Sequence, residues 1–182
     1  MYELIPFILS LLIFLFLIIY YIILSDKLFG DIDTPSSKKV RKKVCEIIKK
    51  HHPHAKTFYD MGCSRGAFAL AIQKSFPHLK VCGVDNNRWR IFLCKIRAHI
   101  TKQPVLFTHQ DLFTLNLREV DVVYLYLLRS LMPILEKKLL AELKPGAIVI
   151  INTGFFPNWK PITYYVINPN HEEFEKIFVY KK

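Results

Sequence analysis

The chain begins with a stretch that lacks charge altogether. From Leu4 to Leu24 there is no Asp, Glu, Lys or Arg, and only Pro6, Ser10, Tyr20 and Tyr21 interrupt the apolar run. About 20 apolar residues rising 1.5 Å each cover the ~30 Å hydrocarbon core of a bilayer. Pro6 falls near the start, where a missing amide costs little, and Tyr20 and Tyr21 fall at the far end, as interfacial aromatics do. Residues 1–25 are therefore expected to form one retained transmembrane anchor. A cleaved leader needs a basic n-region, a shorter core and a small-x-small cleavage site. Here Glu3 stands where Lys or Arg would be wanted, and Leu24-Ser25-Asp26 is a poor site. A buried core helix would need a much larger domain around it.

Cysteine is sparse and unpaired. Cys45, Cys63, Cys82 and Cys94 form no C-x-x-C pair, which excludes a disulfide framework and the usual zinc or redox knuckles. Cys63 and Cys82 fall in expected core elements. His51-His52-Pro53-His54 has no Cys, Asp or Glu at useful spacing, so it reads as a solvated loop and no metal is expected. Acid is short as well: 15 Asp and Glu against 26 Lys and Arg, a formal net charge of +11. Every Lys and Arg follows residue 25. The positive-inside rule then puts the globular part on the cytosolic face of a single-pass protein. Such an excess draws a domain toward acidic headgroups or nucleic acid. Next to an anchor the bilayer is the simpler partner, since each basic residue near an anionic surface contributes about 1 kcal/mol; nucleic acid is the weaker reading.

Three regions follow. Residues 26–55 read as a basic linker and amphipathic helix. Thr34-Pro35 supplies an N-cap and first helical position, and the helix runs to about His51. Val40, Val44, Ile47 and Ile48 share one face, while Lys38, Lys39, Arg41, Lys42, Lys43, Lys49 and Lys50 lie elsewhere. This face packs on a sheet, and the basic side is suited to a bilayer surface. Residues 56–182 alternate strand and helix: strands over 57–61, 80–84, 105–108, 120–125 and 147–152, helices over 66–76, 89–100 and 131–143. Two further strands are expected near 164–167 and 176–180. The run Val120–Leu125 is nearly all apolar, as a strand buried on both faces is. No internal repeat or low-complexity segment appears beyond the apolar run. The layout is α/β, a doubly wound, mostly parallel sheet.

The chemistry centres on the first strand-to-helix turn. Phe58-Tyr59-Asp60-Met61-Gly62-Cys63-Ser64-Arg65-Gly66 leads from an apolar strand through a glycine turn into a helix, and Val81-Cys82-Gly83-Val84-Asp85 ends the next strand in a carboxylate. That order builds a nucleotide crevice at the carboxyl ends of parallel strands. It is not the dinucleotide fingerprint G-x-G-x-x-G, because Gly62 and Gly66 are four apart. Asp-x-Gly-x-Ser-x-Gly resembles the first motif of class I S-adenosylmethionine (SAM) methyltransferases, with Ser64 in place of the middle glycine. The resemblance implies a Rossmann-like fold with S-adenosyl-L-methionine as cofactor. Gly62, Ser64 and Gly66 would then let the backbone approach its amino-acid half, and Asp60 would order the turn or meet its ammonium group. Asp85 would accept from the ribose hydroxyls, a role compatible with capping the next helix at Asn86-Asn87. Asp111, after the third strand, would hold the adenine amino group.

After the fourth strand there is neither Asn-Pro-Pro-Tyr, which holds a planar nitrogen, nor the Pro-Cys nucleophile of pyrimidine C5 methylation. The sequence there is Tyr124-Leu125-Tyr126-Leu127, then Leu131-Met132-Pro133-Ile134-Leu135-Glu136-Lys137-Lys138-Leu139, Glu142-Leu143-Lys144-Pro145-Gly146, and Phe155-Phe156-Pro157-Asn158-Trp159-Lys160-Pro161. Together these resemble the membrane-anchored lysine methyltransferases of the ATP synthase c-subunit and the adenine nucleotide translocase, with their prokaryotic relatives. Phe-Pro-x-Trp is the most telling segment; Ser64, Arg65 and Asp85 depart from the family pattern. The resemblance implies lysine N-methylation of a membrane protein. A lysine acceptor must lose its proton, which an aromatic-walled, desolvated pocket favours. Tyr126, Phe156 and Trp159 are the candidate catalytic residues as walls of that pocket, with the alternative that they are packing aromatics; no general base stands out. Other readings are a lipid or small hydrophobic acceptor, RNA at lower weight, and a non-catalytic SAM-binding membrane module.

Overall fold

The structure, a computed structural model, describes residues 4–28, 36–168 and 176–182. It divides into two compact units, Met1–Thr34 and Pro35–Lys182. In the first, helix α1 spans Leu4–Leu28. Its described side chains, residues 5–17 and 20, are all exposed, with Ile5 at 60% and Phe7 at 70%. Among the described residues no helix is long and apolar enough to cross a membrane. The structure thus does not show the anchor expected over residues 1–25, which rests on the sequence alone.

In the second unit seven strands make one sheet: β1 (Thr57–Met61), β2 (Lys80–Asp85), β3 (Leu106–His109), β4 (Val122–Leu125), β5 (Ile148–Asn152), β6 (Thr163–Val166) and β7 (Lys176–Lys181). Their order is β3-β2-β1-β4-β5-β7-β6. The first five are parallel, and β7 runs antiparallel to both β5 and β6. Four helices cover it: α2 (Lys38–His51), α3 (Ala67–Ser75), α4 (Arg88–Ile100) and α5 (Met132–Glu142). The strand residues alternate between two cores, as the period of 2 requires. Phe58, Val122, Tyr124, Ile148 and Ile150 face α2, α3 and α4, whereas Val123, Leu125, Val149 and Ile151 face α5. Each expected strand and helix of this unit is present, with ends displaced by at most two residues except at the start of α2.

Two differences have physical causes. The amphipathic helix starts at Lys38, not at Thr34-Pro35, which lies outside the described residues. Ser37 is its cap, its hydroxyl accepting the Val40 N–H at 3.2 Å. The fourth strand starts at Val122, because Asp121 is engaged sideways. Its Oδ2 accepts the Lys56 and Thr57 N–H groups at 2.7 and 2.9 Å, and its Oδ1 lies 2.8 Å from Lys144 Nζ. Burial pushes this carboxyl up, but Lys144 and the two N–H groups outweigh it and hold it down at about 2. Ser36, one residue before the α2 cap, bonds the Tyr124 hydroxyl at 2.7 Å, and the Tyr124 ring stacks on Phe68 with centroids 4.0 Å apart. The entry to α2 is thereby fixed to the middle of the sheet.

Candidate functional site

In the strand order the direction of winding reverses between β1 and β4, and a crevice opens there at the carboxyl ends. Asp60, Asp85 and Asp111 lie at or just beyond the carboxyl ends of adjacent strands β1, β2 and β3. The turn after β1 folds back on β2: the Gly62 and Cys63 N–H groups both donate to the Val84 carbonyl, at 2.8 and 3.0 Å. It needs three left-handed residues within five, Gly62 (φ +83°), Ser64 (φ +47°) and Gly66 (φ +71°). Glycine meets that requirement without strain, and at Gly66 there is a second reason. A Cβ there would sit 2.7 Å from the Phe107 ring and 2.9 Å from Cys94 Sγ. A Cβ on Gly62 would run into Leu127, the residue that brings the end of β4 over the turn.

Ser64 has no such freedom and is held by a partner. Asp85 Oδ2 accepts its backbone N–H at 2.9 Å, while Asp85 Oδ1 accepts the Asn87 N–H at 2.9 Å. The cap of α4 is Asn87, whose side chain accepts from the Trp89 and Arg90 N–H groups. Asp85 thus braces the cap and the turn together. A carboxylate offers about four acceptor positions, so these two bonds leave capacity for further donors. The Gln110 N–H donates to the Asp85 carbonyl at 3.1 Å, placing Asp111 beside the same crevice. Asp111 is exposed and caps the 3-10 turn Leu112–Thr114 through the Phe113 N–H at 2.9 Å.

Asp60 is the unusual member. It is 3% exposed, and among the described residues Oδ2 has no hydrogen-bond partner. Burial first, and the charge of Asp85 second, push its carboxyl up to about 7, against a weaker downward pull from the Ala69 N–H. A buried acceptor without a donor marks a place for one supplied from outside.

The expected aromatic walls are not brought together. Tyr126 packs with the core that holds Tyr124, whereas Phe156 and Trp159 pack on the opposite face of the sheet. Phe156 is 4% exposed and stacks on Trp159 at 5.5 Å, with Tyr180 against both rings at 4.8 and 5.4 Å. Phe156 and Trp159 are packing aromatics, because the loop that carries them is clamped inward. Glu136 of α5, itself 2% exposed, accepts the Asn158 N–H at 3.0 Å and also the Trp159 N–H. Tyr180 accepts the Phe156 N–H at 3.0 Å.

That clamp turns Phe155 outward. A cavity of about 340 Å³ at the ends of β4 and β5 is lined by Arg129, Thr153, Phe155, Lys176 and Phe178. A smaller one, about 140 Å³, adds Met132, Pro133 and Pro157. Sequence reasoning missed Arg129, Glu136, Phe155 and Tyr180 as site residues. Glu136 and Phe155 lay inside the family-like segments, so the signal was available there. Tyr180 comes from the last strand and had none. His52 Nε2 lies 3.9 Å from Asp121 Oδ1, and among the described residues no group of three or more metal-ligating side chains occurs.

The ANTKMT methyltransferase domain matches residues 60–163. The chain belongs to this family. The match begins at Asp60 and runs through Asp85, Asp111 and the Glu136 clamp to Thr163. A protein-lysine N-methyltransferase of Saccharolobus islandicus is 30% identical over 129 residues, covering 70% of this chain and 79% of that one. A carboxy-S-adenosyl-L-methionine synthase of Photobacterium profundum is 29% identical over 129 residues, 66% of this chain, and this chain spans about half of its length (52%). Among solved structures, an RNA methyltransferase from Salinibacter ruber in complex with S-adenosyl-L-homocysteine superposes with a TM-score of 0.71. It is 21% identical and covers 81% of this chain and 93% of its own, a likeness that bears on the fold.

Membership of the ANTKMT family makes this protein a SAM-dependent methyltransferase with S-adenosylmethionine as cofactor. The residues present fit that cofactor. Asp60 offers a buried, unpartnered carboxylate oxygen to a cationic group, and Asp85 keeps acceptor capacity for hydroxyls. The left-handed turn between them exposes backbone where a side chain would obstruct.

Proposed function

We propose that this protein is a membrane-tethered methyltransferase that modifies a lysine of a membrane protein close to the bilayer surface. The observation that carries the acceptor class is the 30% identity to the Saccharolobus protein-lysine N-methyltransferase, over 79% of that protein. The tether rests on the charge-free segment Leu4–Leu24 within α1, and the cytosolic placement of the catalytic unit on the basic residues that all follow it.

Bound SAM supplies an electrophilic methyl group on a sulfonium. The chain's own part is to hold the partners in line and to keep the acceptor amine unprotonated. The cavity beside β4 and β5 suits the second task. Among the described residues it is lined by Arg129, Lys176 and the aromatic rings of Phe155 and Phe178, with no carboxylate among them. Neighbouring cations and partial desolvation both disfavour an ammonium relative to the neutral amine. An acceptor lysine entering there would lose its proton without a dedicated base. Purified full-length protein incubated with methyl-labelled SAM and cognate membranes is expected to label a protein band, at a lysine by mass spectrometry. Label confined to lipid or to RNA would overturn the acceptor assignment.

A further inference from the structure

Helix α4 has two apolar faces, and among the described residues only one of them is buried. Ile91, Cys94 and Ala98 are buried in the core beneath it. On the outside, Trp89 (63% exposed), Phe92, Leu93, Ile96 and Ile100 (72%) form a second stripe, continued by Leu106 of the edge strand β3. Positions 89, 92, 93, 96 and 100 follow the helical repeat, so these side chains are neighbours and not scattered exposures. Trp89 and Phe92 meet edge to face at 6.3 Å. A contiguous apolar face rimmed by polar residues marks an interaction surface.

The rim decides what it meets. Between Asp85 and Asp111 there is no Asp or Glu, while Arg88, Lys95, Arg97 and Lys102 stand on or just after α4. A second copy would bring two chains of net charge +11 face to face, and like charges would oppose the contact. An amphipathic helix with Trp, Phe and Ile on one side and basic residues at its edges fits an anionic bilayer surface. Tryptophan on the apolar face of such a helix reaches the boundary between headgroups and acyl chains.

We propose that α4 is a membrane-docking helix that seats the catalytic unit on anionic lipid, with Trp89, Phe92, Ile96 and Ile100 below the headgroups. The same helix holds the cofactor turn. The Cys94 thiol donates to the Ser64 carbonyl at 3.2 Å, and Arg97 donates to the Arg65 carbonyl at 2.6 Å. Docking α4 therefore brings the cofactor turn to the lipid surface. This proposal does not depend on the acceptor being a lysine, and it adds a second lipid contact to any that α1 makes.

The depth of Trp89 tests it without reference to activity. The full chain is reconstituted in vesicles of phosphatidylcholine and phosphatidylglycerol with brominated acyl chains. Its only tryptophans are Trp89 and Trp159, so the emission lost in Trp89→Phe belongs to Trp89. The bromolipid is expected to quench most of that emission, and clearly less of it when phosphatidylglycerol is omitted or when Lys95→Glu and Lys102→Glu are introduced. These two lysines are exposed, and circular dichroism checks that the variants remain folded. Trp89 open to acrylamide but untouched by bromolipid would overturn the proposal, as would Trp89 shielded from both, the result if a protein or a second copy covers the stripe. Equal quenching with and without anionic lipid would overturn its electrostatic part. Failure of any of these arms leaves the lysine-labelling experiment free to succeed, and the reverse also holds.

Discussion

Asp85 Oδ2 accepts the backbone N–H of Ser64 at 2.9 Å, joining the end of β2 to the one left-handed residue of the cofactor turn that is not glycine. The bond explains how serine occupies that position. An L residue in the left-handed region costs roughly 1–2 kcal/mol, and a hydrogen bond to a charged acceptor returns about that much. Asp85 thus braces the turn and the cap of α4 together, with acceptor capacity left over for a cofactor. Asp85→Asn retains one acceptor oxygen for two N–H groups and turns an NH2 donor against the other. SAM binding by calorimetry is expected to weaken by about tenfold or more, on the scale of ~1.5–3 kcal/mol for a charged hydrogen bond.

Asp60 predicts a pH dependence whose sign follows from its environment. In the folded protein its carboxyl is raised from 3.8 to about 7. Between those values the folded state binds more protons than the unfolded chain, so stability falls as pH rises through the window and levels off above about 7. Asp60→Asn is expected to flatten that slope in urea unfolding measured on either side of the window. A cationic ligand group favours the ionised form. SAM affinity is therefore expected to rise as pH increases toward and past 7 in the wild type, and to lose that gradient in Asp60→Asn.

Gly66 and Gly146 separate backbone strain from crowding. Both have positive φ, +71° and +87°, but a Cβ on Gly146 would meet nothing within 4 Å, whereas on Gly66 it meets the Phe107 ring at 2.7 Å. Gly146→Ala is expected to cost about 1–2 kcal/mol, the left-handed penalty alone. Gly66→Ala adds an overpacking cost of about 1–3 kcal/mol. Chemical denaturation reads both, and SAM affinity is expected to fall in Gly66→Ala only.

Phe155 and Phe156 are adjacent in sequence and opposite in role. Phe156 is 4% exposed within the Trp159–Tyr180 cluster, and Phe156→Ala is expected to destabilise by about 3–5 kcal/mol. Phe155 is 54% exposed on the cavity beside Arg129. Phe155→Ala is expected to leave stability within about 0.5 kcal/mol while lowering kcat/KM for the methyl acceptor. A normal kcat/KM in that variant would move the acceptor site elsewhere.

The contrast between these two phenylalanines shows where reading a sequence stops. Phe-Pro-x-Trp singles out Phe156, which is packed inward, whereas its neighbour Phe155 faces the cavity. Which of two neighbouring side chains faces inward is set by Glu136 and Tyr180, which lie 22 and 24 residues from the groups they bind. No local pattern carries that information. Tyr126, grouped with Phe156 and Trp159 by residue type, is separated from them by the sheet itself, because strand alternation sends it to the other core.

By itself the sequence determined the alternation of strands and helices, the left-handed glycine turn after β1 and the order of Asp60, Asp85 and Asp111 along the chain. These are local properties: period, apolar runs, and residue types that tolerate particular backbone angles. It also determined the long charge-free segment at the N-terminus. Only the tertiary structure decided that β7 inserts between β5 and β6, antiparallel to both. Only there does Asp60 become a buried acid next to Asp85, and only there is the outer stripe of α4 left exposed among the described residues. Each of these depends on which distant elements pack together, and burial and charge coupling exist only once they do.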